Sequence, residues 1–261
     1  MASDFGLMLA SFDYSGTEEN DLALRSETQE KYVGSNPIPV YLGAKYTKKL
    51  TPQVTLVKDP ANLNKNSSKF FTEHECRYIL RELTSEEGYR WIQIYHDTLD
   101  ELLYFYARIT DIRYKKIADE VAGILIDLEC DSPFAWSKEM NYSYSIKANT
   151  PLSFYNTSDI LNDYLLPTVT ISSPTAISKL TITNKSDNNR ITELTSITAN
   201  EKIIMDSKHE ILTMPSKDYS LNHFNLKWFR LVCGKNEIIS SHDINIAFNY
   251  RVARKVGFIT V

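Results

Sequence analysis

Apolar and polar positions alternate with a period of two along most of this chain, and one stretch breaks into the period of a helix. In 89–95 and 102–109 β-branched and aromatic residues dominate, and His96-Asp97-Thr98-Leu99-Asp100 between them supplies polar turn chemistry. These segments predict a hairpin. A second hairpin is predicted from 111–116 facing 120–128 across a tight turn at 117–119. It runs into Glu129-Cys130-Asp131-Ser132-Pro133-Phe134-Ala135-Trp136, where Pro133 ends pairing because it lacks the backbone donor that a ladder needs.

The helical stretch starts at Thr72. Its hydroxyl can cap the first turn while Glu75, three residues on, reaches back in a capping box. Cys76, Ile79, Leu80 and Leu83 follow at i, i+3, i+4 and i+7, the spacing of one buried stripe, so a helix over 72–83 packs against a sheet. Thr84 and Gly88 bracket its end, with Gly88 placed for a left-handed stop before the strand at Tyr89.

Ahead of the helix, 4–12 predicts an edge strand, 13–34 is a polar segment with a loop at 16–21 and Tyr32 starting the next element, and 40–46 and 51–57 read as strands. Beyond Trp136, strand patterns recur at 143–146, 152–155, 166–171, 180–183, 190–194, 202–205, 210–213, 228–232, 237–239, 243–250 and 257–261, each bounded by Asn, Asp, Ser or Pro or by another turn signal. So many short strands without a helical stripe predict a β-sandwich. The expected domains are 1–141 and 142–261.

The 261 residues suit two ordinary domains, and 43% hydrophobic residues are enough for their cores. Net charge is −4 with no dense basic run, so tight nucleic-acid binding is not expected. The three cysteines, Cys76, Cys130 and Cys233, lie far apart; they predict buried thiols and no disulfide framework. No stretch approaches a membrane span and the start has no secretory pattern, so cytosolic folding without membrane insertion is expected.

Chemistry is sparse. His74, His96, His209, His223 and His242 never take metal-ligand spacing, so no metal or cofactor is expected. In His74-Glu75-Cys76 adjacent helical side chains point about 100° apart, which keeps imidazole and thiol from meeting. Asp127, Glu129 and Asp131 alternate on one strand face and could mimic a glycosidase pair, but nothing in the sequence raises a pKa, and a solvated or subunit-facing strand side accounts for them. No catalytic residue is assigned. Tyr95, Tyr104, Tyr106, Tyr142 and Tyr144 read first as packing or interface residues and second as sugar-stacking platforms. The basic residues Arg251, Arg254 and Lys255 read as a solvated turn. Pro133, Phe134, Trp136, Trp228 and Arg230 read as structural anchors.

The order of elements resembles the distal tail protein (Dit) family of long-tailed phages. The resemblance rests on Asp4-Phe5-Gly6-Leu7, the 72–83 helix, Gly88-Tyr89, the run 129–136, Lys202-Ile203-Ile204-Met205-Asp206-Ser207, and the stretch from Trp228 to Ile238. It implies a mainly β fold: an N-terminal split β-barrel-like domain with one helix and projecting hairpins, then a galectin-like C-terminal β-sandwich. It also implies a non-enzymatic virion protein at the tail tip, assembled in the host bacterial cytoplasm. Its subunits, usually six, close into a ring that joins the tail tube protein to the tip protein and carries receptor-binding proteins. The hairpins of the first domain are then the candidate ring contacts, through Tyr95, Tyr104, Tyr106, Arg113, Tyr114 and Lys116. A carbohydrate-binding or adhesin sandwich is the alternative reading.

Overall fold

The alternating segments become strands almost throughout the computed structural model, which describes residues 6–9, 26–32, 34, 37–62, 68–85, 87–94 and 102–256. In chain order they are β1 (Leu7–Leu9), β2 (Ser26–Lys31), β3 (Val40–Tyr46), β4 (Gln53–Lys58), helix α1 (Glu73–Leu83), β5 (Arg90–Ile94), β6 (Leu103–Ile117), β7 (Glu120–Cys130), β8 (Ala135–Trp136) and β9 (Met140–Ile146). There follow β10 (Leu152–Asn156), β11 (Thr168–Ser172), β12 (Ile177–Asn184), β13 (Arg190–Ile197), β14 (Ile203–Asp206), β15 (Ile211–Thr213), β16 (Gly234–Ser240), β17 (Ile244–Tyr250) and β18 (Ala253–Arg254). The protein is mainly β. It divides into two units, Met1–Ala135 with Lys255–Val261, and Trp136–Arg254. The sequence boundary at 141/142 would cut through β9, which pairs with β17 along its whole length from Met140 to Ile146.

In the first unit the antiparallel order is β1-β4-β7-β6, with β5 also on β6. The sheet is open, and the described strands form no closed barrel. The two hairpins predicted from sequence share one strand. Residues 102–109 and 111–116 fuse into β6 because the ladder with β7 skips Thr110, pairing Ile109 with Leu128 and Asp111 with Asp127. A bulge of this kind absorbs the residue that broke the alternation. The two-residue turn between β6 and β7, Ala118-Asp119, has φ of 48° and 67°, the left-handed pair of a type I′ hairpin.

α1 starts as expected. The Thr72 hydroxyl accepts from the Glu75 amide at 3.3 Å, and the Glu75 carboxylate accepts from the Thr72 amide at 2.7 Å. Its buried stripe is narrower than predicted: Cys76 and Ile79 are buried and Leu83 is half-buried, but Leu80 is exposed. The helix ends at Thr84, whose hydroxyl donates to the Leu80 carbonyl, and Gly88 (φ 95°) serves the turn into β5 instead. Leu56, Phe71, Phe105, Ile124, Ile126 and Leu128 complete the core under it.

The polar segment 13–34, in which no strand is expected before Tyr32, contains β2, which pairs with β3 in a separate two-stranded sheet. Propensity misses β2, since Ser26-Glu27-Thr28-Gln29-Glu30-Lys31 has no apolar face to announce it. Tyr32 follows this strand and does not start one. Residues 10–25, the 96–100 turn and the terminal strand expected at 257–261 lie outside the described residues.

The second unit is a sandwich of a sheet β10-β16-β12-β13 and a sheet β15-β14-β11-β17-β9, all antiparallel. Their inner faces share one core, including Val169, Ile171, Leu180, Ile182, Leu194, Ile203, Met205, Ile238, Ile246 and Phe248, with Tyr144 packed on its rim. One predicted strand is absent. Residues 228–232 are irregular, with a single bridge between Leu231 and Leu165. Side chains take the place of a ladder there: Arg190 Nε donates to the Trp228 carbonyl (3.2 Å), Asn184 Nδ2 to the Arg230 carbonyl (3.2 Å), and Asn156 and Asn236 to the Val232 carbonyl (3.1 and 2.9 Å).

Candidate functional site

The face of β5, β6 and β7 turned away from the core carries the densest constellation of aromatic and charged side chains. Alternation places Tyr104, Tyr106 and Arg108 on that face, opposite Phe105 and Ala107, which are buried. Cross-strand pairing brings Trp91 against Tyr106, their rings 5.0 Å apart, and Tyr89 stacks on Tyr106 at 5.7 Å. Glu129 lies opposite Arg108 in the ladder. Its carboxylate accepts from the Tyr89 hydroxyl (2.7 Å), from Lys49 Nζ (3.2 Å) and from Arg108 Nη2 (3.3 Å).

These donors, Tyr89 first and then Arg108 and Lys49, hold the Glu129 carboxyl down to about 2 from an ordinary 4.5. A carboxyl depressed on folding adds stability that is complete above its unfolded pKa and is lost as pH falls toward its folded one. Wild type is therefore expected to exceed Glu129→Gln in stability at pH 6, with the margin closing between about pH 4.5 and 2. Urea melts of both proteins across that range check this; a margin independent of pH would contradict it.

Further along the hairpin the second acid of the alternating series, Asp127, accepts from Gln53 Nε2 at 2.6 Å and pairs with Arg113 at 2.5 Å, while Arg113 also reaches Asp111 at 3.1 Å. Asp131, the third, has its amide on the Tyr106 carbonyl and a buried Oδ1 with no partner among the described residues. Two of the three acids are thus matched to cations. The arrangement neutralises carboxylates and keeps Glu129 ionised, the opposite of a proton donor's requirement.

β5 leaves β6 at Ala107, and from Arg108 to Ile117 β6 is registered against β7 among the described residues. The outer half of β6 is mostly exposed, including Tyr114 and Ile117. The β2–β3 hairpin presents Tyr41 and Leu42 at 64% and 59% exposure, with Tyr32, Ile38 and Val40 also exposed. Small two-stranded ribbons are marginal alone in water, and a patch of this kind is characteristic of a contact surface.

The residues nominated from sequence do not form one patch. Tyr104, Tyr106 and Arg113 lie on the outer face, whereas Tyr114 and Lys116 alternate with Ile112 onto the helix side, and Tyr95 is outside the described residues. Among the anchors, Phe134 is buried with its ring edge-on to Tyr46 at 5.5 Å, next to a half-buried Pro133. Trp136 is half-buried and its indole N–H has no partner among the described residues. Trp228 packs edge-on against Phe224 at 4.8 Å, and Arg230 makes a two-pronged pair with Asp187 while its guanidinium lies 3.6 Å from the Tyr164 ring centre. The exposed β2–β3 patch and the Asp187 partner were missed in the sequence reading. Tyr41-Leu42 after Pro37 and Pro39 was the one local signal for the former; the latter had none.

The remaining chemistry is dispersed. His209 pairs with Asp206 at 2.7 Å, His223 lies 3.4 Å from the Thr195 hydroxyl and His242 lies 2.9 Å from that of Ser241. Among the described residues no three His, Cys, Asp or Glu gather as a metal site, and no helix is long and apolar enough to cross a membrane. All three cysteines are free; burial pushes the Cys130 thiol up to about 12, Cys76 is buried, and Cys233 is half-buried with its thiol on the Ser158 carbonyl.

Comparison with known proteins places these surfaces in context. No curated protein matches the chain by sequence. The crystal structure of the Dit protein (gp 19.1) of phage SPP1, described as a paradigm of hub adsorption apparatus in phages infecting Gram-positive bacteria, superposes with a TM-score of 0.63. It is 11% identical over 94% of this chain and 98% of that one. Chains of the phage P2 baseplate in its activated conformation, with Ca and with Sr, match at a TM-score of 0.48 and 10% identity over 99% of this chain and 93% of theirs. At such identity the SPP1 likeness is one of fold. Family models are more direct: a phage tail protein N-terminal domain matches residues 1–132 and a phage tail C-terminal domain matches residues 134–250. Since the two together span nearly the whole chain, the protein belongs to the phage tail protein family that these paired domains define.

Proposed function

We propose that this tail protein is a non-enzymatic hub, whose first unit closes with copies of itself into a ring, six subunits being the expected number, between the tail tube protein and the tip protein. The sandwich unit then carries the docking surface for receptor-binding proteins, and assembly takes place in the host cytoplasm. The observation that carries the reading is the joint match of both tail domains in a chain with the fold of a hub adsorption protein. Physical chemistry supports it. A head-to-tail contact between two different patches closes into a ring when the rotation fits, and the first unit offers two unlike surfaces, the exposed β2–β3 hairpin and the outward face of β5 and β6 that carries Trp91, Tyr106 and Arg108. Tyr104, Tyr106 and Arg113 on the outer face, Tyr114 and Lys116 on the helix side, and Tyr95, which lies outside the described residues, remain the proposed ring contacts.

Negative-stain imaging of the purified chain is expected to show annular particles with a central hole. Tyr41→Ser combined with Leu42→Ser is expected to abolish them while leaving the unfolding midpoint nearly unchanged, since substitutions at exposed positions usually stay within about 0.5 kcal/mol. A chain that is monomeric at high concentration and binds glycans through an exposed aromatic such as Tyr155 would replace the hub with an adhesin.

A further inference from the structure

The sandwich has four edge strands, and three of them are short or covered. β15 is three residues long, β10 is five and begins straight after Pro151, and β13 is covered by the segment after Phe224. In that cover Asn225 Nδ2 donates to the Ile191 carbonyl at 3.0 Å and the Glu193 amide donates to Asn225 Oδ1 at 3.2 Å. The fourth edge is different. β9, Met140-Asn141-Tyr142-Ser143-Tyr144-Ser145-Ile146, ends its sheet with seven residues that include no charge, no proline and no bulge. Asn141, Tyr142, Ser143 and Ser145 are exposed. Long uncharged edges of this sort recruit another strand unless something prevents it.

The sequence around β9 says what that strand is. In an antiparallel two-fold pairing centred on Ser143, residues equally distant from the centre face each other, so Tyr142 meets the partner's Tyr144, Asn141 meets the partner's Ser145 and Met140 meets the partner's Ile146. One step beyond each end, Glu139 meets the partner's Lys147. Both are four residues from Ser143, so the two-fold axis produces two opposite-charge pairs and no like-charge pair. Both are available: the Lys147 side chain is 77% exposed in a surface pair with Asp243, and that of Glu139 is 49% exposed, 3.9 Å from Arg251. An isologous contact requires this self-complementarity.

We propose that β9 is a self-association edge, through which two copies of this chain join their sandwich units by antiparallel Ser143-centred strand addition, with Glu139 and Lys147 setting the register. The contact is separate from the ring contacts of the first unit and does not depend on them. It caps an otherwise sticky edge in the protein before assembly.

Two measurements on the full chain test it. Ser143→Cys under mild oxidation is expected to give a disulfide-linked dimer, because only the central residue faces its own copy; Tyr142→Cys, which faces Tyr144, is expected to give several-fold less. Glu139→Lys and Lys147→Glu are each expected to weaken this association about tenfold, since each places like charges at both ends, and an equimolar mixture of the two variants is expected to restore it. The pairs are again opposite in the mixed dimer. Sedimentation velocity at low salt reads the second test. Equal cross-linking of the 142 and 143 cysteine variants, or single charge variants that associate as wild type does, would overturn the proposal, whichever way the ring imaging falls.

Discussion

Arg230→Ala is expected to destabilise the sandwich unit by about 3–5 kcal/mol, a large share of what holds a unit of this size together. Asp187 is the reason. Its side chain is 1% exposed, against 28% for Arg230, and both of its oxygens are taken by the guanidinium, Nε at 2.6 Å and Nη2 at 3.0 Å. Removing the cation leaves a buried carboxylate facing no opposite charge, and the lost stacking on Tyr164 adds to the effect. The Arg230 carbonyl also accepts from Asn184, whose amide reaches the fully buried Asn236, so relaxation of the segment would disturb a second polar cluster. Denaturant unfolding followed by fluorescence of the nearby Trp228 measures the change. Asp187→Leu together with Arg230→Met is expected to recover most of it, because neither charge is then left alone. A loss below about 1 kcal/mol in the single variant would mean that water reaches Asp187.

Phe248→Ala is expected to cost about 3–5 kcal/mol as well, by a different mechanism. Phe248 is 0% exposed at the middle of β17, where its ring meets Phe154 at 5.1 Å, Phe229 at 5.5 Å and Tyr144 at 6.3 Å. These three come from β10, the irregular 228–232 segment and β9, so truncation opens a void at the point where both sheets and the loop converge. Neighbours held in ladders cannot collapse into it, and the stability lost rises with the volume left empty. Phe248→Leu is expected to cost less than half as much, since it retains most of the packing volume. Calorimetry of the two variants checks the ranking; similar losses would indicate overpacking in place of a cavity.

Much of this architecture was written locally. Thr72 and Glu75 close their capping box as their spacing requires, because the box depends on atoms within one turn. Strands with clean alternation, such as β12, β13 and β17, appear where the pattern puts them, since one buried face suffices to define them. β2 escaped because both of its faces are exposed, and the 228–232 segment misled because its apolar residues are buried without a ladder. At the candidate site Tyr106 was legible as a packing or interface residue, while Arg108 carried no signal of its own. That they meet Trp91, Tyr89 and Glu129 depends on a register no single strand contains.

The mainly β class, the helix with its cap and the resemblance to tail proteins were legible from the chain alone. Each of these follows from periodicity, capping or the order of elements, which are properties of neighbours along the chain. Three features needed the folded chain: one bulged strand serves both hairpins, Asp187 neutralises Arg230 across 43 residues, and β9 is left as the long uncharged edge. Charge pairing and strand-edge exposure act across space, so they exist only once distant segments are brought into register.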